Sequence, residues 1–156
     1  MLIFKDESGE YRAKVIDFGY SARYSSEQQL RILYGTELWN APEHGTSEKH
    51  WTLSDARRAD LFSFGMLCLW LLEDSLPSVM SDMKPLSGKP TMGNKTLTMN
   101  KEALREHAEG ILAQVARLDH KGAALLQGFF ASSLSMKPEE REGGLTRFVA
   151  GCDDER

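Results

Sequence analysis

The sequence has no hydrophobic run long enough to cross a membrane. Its longest strongly apolar stretch, residues 61–72, is interrupted by Ser63 and Gly65 and falls short of the ~20 residues that span a bilayer. The first four residues are followed at once by three charged ones, so no secretory signal peptide is expected. We therefore expect no membrane among the partners of this chain.

Cysteine is scarce, and basic residues are not clustered. Cys68 and Cys152 lack the spacing of a disulfide framework or a zinc site, which favours a reducing compartment, the cytoplasm or the nucleus. The 19 Lys and Arg residues are scattered among 23 acidic ones, and the net charge is −4. Without a basic stripe, we expect no nucleic acid as a partner.

Two regions are predicted to be loops, and one to be a β-hairpin. The β-like runs 2–4 and 13–16 flank a polar segment with turn residues, which predicts the hairpin. Residues 17–54 show no sustained periodicity and are predicted to form a long loop of the kind that often carries function. Residues 75–100, with three prolines, are predicted to form the second loop.

Apolar periodicity predicts helices in the rest of the chain. The segment 55–72, capped by Ser54-Asp55, is apolar on nearly every face and is expected to be a central post surrounded by other elements. Further helices are predicted over three segments, which are 101–118, 122–134 and 138–149. The predicted fold class is α+β, mainly α, with a short β-hairpin followed by a helical bundle.

Four short motifs follow one another in a fixed order. They are Asp17-Phe18-Gly19, residues 35–43 ending in Ala41-Pro42-Glu43, residues 60–65 beginning with Asp60, and Pro138-Glu139-Glu140-Arg141. In this order they resemble the C-terminal lobe of a protein-kinase domain. The resemblance implies a partial kinase domain over residues 1–150 and a tail over 151–156. Gly35-Thr36 is similar to Ser/Thr kinases, and Trp39 looks like the tyrosine-kinase-like branch.

The resemblance implies functional roles for the first two motifs. Asp17 would bind Mg²⁺ and, with Phe18 and Gly19, would form part of the ATP site. Phe18 would pack into the hydrophobic spine of the family, and Gly19 would give the backbone freedom to change posture. Thr36 and Trp39 would position the protein substrate.

The other two motifs imply structural roles. By the resemblance, Glu43 should form a buried ion pair with Arg141, and loss of either partner would cost roughly 3–5 kcal/mol. Asp60 should hold the backbone of the family's catalytic loop.

Parts of the kinase machinery do not occur in the sequence. It contains no Gly-rich loop, no Val-Ala-Ile-Lys-like strand and no His-Arg-Asp-x-x-x-x-Asn string, so no residue of the chain is expected to act as the general base. Aligning the run 2–4 with the family's strand would place the metal-binding Asn immediately before Met1. We expect a complete parent to transfer the γ-phosphate of ATP to Ser or Thr of a protein, with Mg²⁺ as cofactor, and this chain alone to be inactive.

A non-catalytic function is the alternative interpretation. In it, the kinase-like lobe, or the loop with Tyr20, Tyr24, Tyr34 and Trp39, would dock another protein. Single residues also have plainer interpretations, because Asp17 could be a turn residue at a strand end and Asp60 a helix cap.

We also expect large side chains of the segment 55–72 to be exposed. In the family this helix packs against an earlier helix, which the sequence does not contain. Phe62, Leu69 and Trp70 are therefore candidates for exposure, and the isolated chain is expected to be marginally stable and prone to aggregate.

Overall fold

The structure is a computed structural model that describes residues 2–14, 16, 18–19, 21, 35–45, 50–76, 100–115 and 119–141. Within these ranges the fold is α+β and mainly helical, as predicted. One antiparallel pair of strands, β1 (Leu2–Lys5) and β2 (Tyr11–Lys14), precedes three α-helices. The helices are α1 (Leu53–Asp74), α2 (Leu104–Leu112) and α3 (His120–Ser133). Short 3₁₀ turns lie at Glu37–Trp39, Pro42–Gly45, Lys101–Ala103 and Pro138–Glu140.

The β-hairpin is confirmed, but its second strand begins two residues earlier than predicted. Its turn is tied to Asp6, whose carboxylate accepts hydrogen bonds from the backbone N–H groups of Ser8 at 3.0 Å and Glu10 at 3.1 Å. Gly9 takes a φ of 82°, a value that favours glycine. Ile3 is 61% exposed and Tyr11 is 73% exposed, because neither strand packs extensively on a helix.

Helix α1 starts two residues before the predicted segment, and Thr52 is its cap. The Thr52 hydroxyl accepts from the Asp55 N–H at 3.1 Å, and the Asp55 carboxylate accepts from the Thr52 N–H at 3.0 Å. This reciprocal capping box satisfies two backbone donors that have no partner within the helix. The prediction that Ser54-Asp55 caps the helix is therefore confirmed for Asp55, which acts from the first turn, and wrong for Ser54, because the N-cap is Thr52.

The core is formed where one side of α1 packs against α2 and α3. Phe62, Met66 and Leu69 of α1 are almost fully buried, together with Leu104 of α2 and Phe130 of α3. The expectation that Phe62 and Leu69 are exposed is wrong, because α2 and α3 cover that side.

Among the described residues, α1 keeps a partly exposed stripe, so the expectation of a post surrounded on all sides is not met there. Phe64 is 37% exposed although its ring meets that of Phe129 of α3 edge to face, with centroids 6.0 Å apart, and Leu71 is 43% exposed. Trp70, which was also expected to be exposed, is half-buried against Trp39.

Cys68 is a free thiol on the same helix, and burial raises its pKa to about 11, so it is not a reactive nucleophile at neutral pH.

The predicted helices over 101–118 and 122–134 are present with different lengths. The prediction over 101–118 corresponds to a 3₁₀ turn followed by α2, which ends at Leu112 where the backbone N–H groups of Gln114 and Val115 bond three residues back. Helix α3 begins earlier than the predicted 122, because the Asp119 carboxylate caps it through the Gly122 N–H at 2.6 Å.

The last predicted helix is replaced by a short turn where it is described. Pro138–Glu140 form a 3₁₀ turn, and residues 142–149 lie outside the described residues. The predicted loop over 75–100 is described only at its ends. None of the described helices combines the length and the apolar character that a membrane span needs.

Two helical glycines offer a matched test of the packing between α1 and α3. A Cβ added at Gly65 would collide with the buried Ser133 hydroxyl and lie 2.8 Å from the Ser133 Cβ, whereas a Cβ at Gly110 of α2 would meet nothing within 4 Å. Alanine favours a helix over glycine by ~1 kcal/mol, but overpacking typically costs about 1–3 kcal/mol. We predict that Gly65→Ala lowers the free energy of unfolding and that Gly110→Ala raises it by ~0.5–1 kcal/mol. Urea denaturation measures both, and equal effects would contradict the close approach at Gly65.

Candidate functional site

Residues 35–43, the segment expected to face a substrate, form two short turns against α1. The Trp39 carbonyl accepts a hydrogen bond from the Ser63 hydroxyl of α1 at 2.9 Å. The Trp39 ring meets the Trp70 ring edge to face, with centroids 6.3 Å apart. These contacts fix Trp39 on α1 and leave Thr36 exposed at the start of the first turn.

Asn40 organises the first turn from its other end. The Asn40 N–H donates to the carbonyls of Thr36 at 3.1 Å and Glu37 at 3.3 Å. Its side-chain oxygen lies so close to Gly35 that a Cβ there would collide with it. A side chain at residue 35 would therefore require the Asn40 side chain to move.

The ion pair predicted between Glu43 and Arg141 is present. Arg141 Nη1 lies 2.7 Å from Glu43 Oε1, and Nη2 lies 3.0 Å from Oε2, in a parallel two-bond geometry. The side chain of Arg141 is 0% exposed and that of Glu43 is 10% exposed. The two residues are 98 positions apart in the chain, so the pair joins the end of the segment 35–43 to the turn at 138–140.

Arg141 uses all of the hydrogen-bonding capacity of its guanidinium. Besides the two bonds to Glu43, Nε donates to the Ser135 carbonyl at 2.7 Å, Nη1 to the Arg58 carbonyl at 3.3 Å and Nη2 to the Met136 carbonyl at 3.5 Å. A guanidinium has five N–H donors, and five bonds are formed. This matters because an unpaired buried charge is strongly destabilising.

A second cation, Lys101, lies on the same cluster. Its ammonium group donates to the Asn40 carbonyl. The ring of Phe62 lies beneath both cations, with the Arg141 Cζ 4.8 Å and the Lys101 Nζ 5.7 Å from its centroid. Phe62 therefore links the apolar core to the polar cluster at residues 40–43.

Asp60 lies within α1, so the interpretation of Asp60 as a helix cap is wrong. The residue is exposed, and no hydrogen bond to its carboxylate is found among the described residues. Desolvation nevertheless raises the pKa of the Asp60 carboxyl, and the charge of His44 opposes this rise. The carboxylate has no contact with a catalytic-loop backbone in the part of the chain that the structure describes.

The Asp17-Phe18-Gly19 motif is described only in part. Asp17, the expected metal ligand, lies outside the described residues, while Phe18 and Gly19 form a turn closed by the Ser21 N–H to the Phe18 carbonyl at 3.0 Å. Phe18 is 66% exposed, so the expectation that it packs into a hydrophobic spine is wrong for this structure. The reason is that none of the described core elements covers its ring.

No metal site can be built from the described residues. Within the described ranges, which exclude Asp17, no group of three or more His, Cys, Asp or Glu side chains could hold a metal ion. Of the predicted residues, the structure brings together Glu43 and Arg141 and holds Thr36 and Trp39 on the adjoining turn.

Two residues of the cluster were not identified from the sequence. Lys101 precedes a predicted helix and belongs to no motif, and the residues next to it in the sequence give no indication of a contact with Asn40, 61 positions away. Phe62 was expected to be exposed, whereas it supports both cations. An apolar position on the helix, even inside the motif 60–65, carries no signal that would distinguish this role from ordinary packing.

Comparison with known proteins gives no match to a protein-family model, to a curated protein or to a solved structure.

The ion pair generates a prediction about stability. Removing one partner takes from the other, a buried charge, the ion pair that neutralises it, so Arg141→Met and Glu43→Gln should each lower the free energy of unfolding by about 3–5 kcal/mol. The double variant should lose less than the sum of the two, because it leaves no uncompensated charge. Lys137→Met is the control, since it removes an exposed pair with Glu140 at 3.1 Å and should change little. Additive effects in urea denaturation would contradict the coupling of the two residues.

His44 generates a prediction about pH. Burial lowers the pKa of His44, and the neighbouring Glu43 opposes this shift. As the pH falls, His44 is protonated at a higher pH in the unfolded chain than in the folded one. The folded state therefore loses stability as the pH falls below the ordinary histidine pKa of about 6.5. The fall in melting temperature between about pH 7.5 and about pH 5.5 should therefore be smaller in His44→Gln. The same substitution at the exposed His50 is the control, and an unchanged pH dependence in His44→Gln would contradict the assignment.

Proposed function

We propose that this chain is a protein-kinase-like polypeptide corresponding to the C-terminal lobe of a Ser/Thr kinase. With the remaining parts of such a domain, it would transfer the γ-phosphate of ATP to a hydroxyl of a protein substrate. Mg²⁺ would be bound by Asp17 and would neutralise charge on the phosphates, which is most of what phosphoryl transfer requires beyond positioning.

One observation carries this proposal: the buried ion pair between Glu43 and Arg141. The kinase motifs Ala-Pro-Glu and Pro-x-x-Arg imply a contact between two residues 98 positions apart, and the distances of 2.7 and 3.0 Å agree with it. Neither composition nor helical periodicity implies that contact. The contact of Trp39 with α1 adds support, because it holds the segment 36–39, which includes the exposed Thr36, near the Glu43–Arg141 pair.

The chemistry assigned to the 156 residues themselves is limited. They contain no His-Arg-Asp string and no phosphate-contacting lysine in a Val-Ala-Ile-Lys context. General base and metal ligands act as a unit, so a single metal carboxylate supplies no useful rate. We therefore assign substrate positioning and one metal ligand to this chain, and no phosphoryl transfer by it alone.

Nucleotide binding tests the proposal. The melting temperature should rise on adding Mg-ATP at high concentration, because a ligand that binds only the folded state stabilises it by about 1.4 kcal/mol at ten times the dissociation constant. The rise should vanish in Asp17→Asn and on chelation of Mg²⁺ with EDTA. Glu7→Gln, a carboxylate on the exposed hairpin turn, is the matched control and should keep the rise. No rise in the unaltered chain would contradict an ATP site that includes Asp17.

A non-catalytic interaction protein is the second candidate, and exposed apolar surface favours it. Phe64, which also contacts Phe129, and Leu71 are partly exposed on α1, and Ile3 and Tyr11 are exposed on the hairpin. Surfaces of this kind commonly mark contacts with other chains. On this interpretation, Mg-ATP leaves the melting temperature unchanged in every variant, so the same experiment separates the two candidates.

A further inference from the structure

Lys101 is held at a fixed point by the core. It is the first residue of the 3₁₀ turn that leads into α2, and its carbonyl accepts the N–H of Leu104. Leu104 is 0% exposed and packs in the core with α1 and α3. The Lys101 backbone therefore moves with α2, and its side chain extends from that point to the segment 35–43.

The ammonium group of Lys101 reaches the residue that closes the first turn of this segment. It donates to the Asn40 carbonyl, while the Asn40 N–H donates to the carbonyls of Thr36 and Glu37. Asn40 also covers Gly35 with its side chain. A group that fixes Asn40 consequently fixes the turn on which Thr36 and Trp39 lie.

The surroundings of Lys101 show that its charge is part of the contact. Partial burial lowers the pKa of the Lys101 ammonium, and the carboxylates of Glu43 and Glu37 oppose that shift. The ring of Phe62 lies 5.7 Å from the Nζ atom. An exposed lysine on a solvated surface would have none of these contacts.

We propose that Lys101 is a positioning residue that couples the turn 36–40 to the start of α2. Movement of α2, or neutralisation of the Lys101 ammonium, then changes the conformation of this turn. The proposal rests on the proposed function only in assuming that the turn faces a protein substrate. The coupling itself is a property of the folded chain and can be measured without any activity.

Fluorine NMR on the chain labelled with 5-fluorotryptophan tests the coupling. The three tryptophans give separate signals, and Trp39→Phe identifies that of Trp39. In Lys101→Met, the Trp39 signal should shift and amide exchange at Asn40 should rise roughly tenfold or more, because a charge-assisted hydrogen bond is lost. Lys101→Arg, which keeps a cationic donor, should restore both towards the unaltered values. The signal of the buried Trp51 should not move.

The same substitution at another lysine is the control. Lys14→Met removes an exposed lysine from the hairpin and should leave the Trp39 signal and the exchange at Asn40 unchanged. The proposal is overturned if Lys101→Met behaves like Lys14→Met, or if Lys101→Arg behaves like Lys101→Met.

A measurement on the unaltered chain covers the case in which Lys101→Met does not fold. Acetylation of lysines over a range of pH, followed by mass spectrometry, should show the neutral amine of Lys101 reacting several-fold more slowly than those of Lys14 and Lys137, because it is partly buried and bonded to Asn40. Comparing neutral amines removes the effect of the lowered pKa of Lys101, which alone would speed the reaction. Equal reactivity would overturn the proposal. Neither outcome depends on Mg-ATP, so failure of the nucleotide experiment and failure of this coupling are distinguishable.

Discussion

The buried guanidinium of Arg141 constrains the polar cluster around Glu43. Arg141 is fully enclosed, and a buried cation is tolerated only when it is paired and hydrogen-bonded. Arg141 meets that requirement by bonding the Glu43 carboxylate, the carbonyls of Ser135 and Met136, and the Arg58 carbonyl of α1. Three stretches of chain that are distant in sequence are therefore held in one arrangement by the need to satisfy one side chain.

Helix α1 connects this polar cluster to the apolar core. Its covered side packs against α2 and α3, and Phe62 on that side also supports Arg141 and Lys101 with its ring. Its N-terminal turn is closed by Thr52 and Asp55, and its middle approaches α3 at Gly65 and Ser133. Local capping and close helix packing thus set the position of α1, and α1 in turn provides the surface against which residues 39–43 pack.

Much of the secondary structure could be predicted from the sequence, because alternation and helical periodicity are local signals. The hairpin and the three helices were found this way, and the Glu43–Arg141 pair followed from the order of four motifs. The cap of α1 was misplaced because Asp55 acts from inside the first turn. The burial of Phe62 and the partial exposure of Phe64 could not be predicted, because they depend on which side of α1 is covered. The exposure of Phe18 could not be predicted either, because it depends on tertiary contacts of the loop that begins at residue 17. The contact of Lys101 with Asn40 has no local signal at all.

The buried pair of Arg141 and Glu43 is the contact from which the proposed kinase-like function is argued. The most direct measurement is nitrogen-detected NMR of the arginine guanidinium groups in the unaltered chain. The account predicts that Arg141 shows separate Nη signals, slow rotation about Nε–Cζ and slow exchange of its Nε–H with water, because all five donors are bonded. A single averaged Nη signal with exchange as fast as that of a solvent-exposed arginine would contradict it.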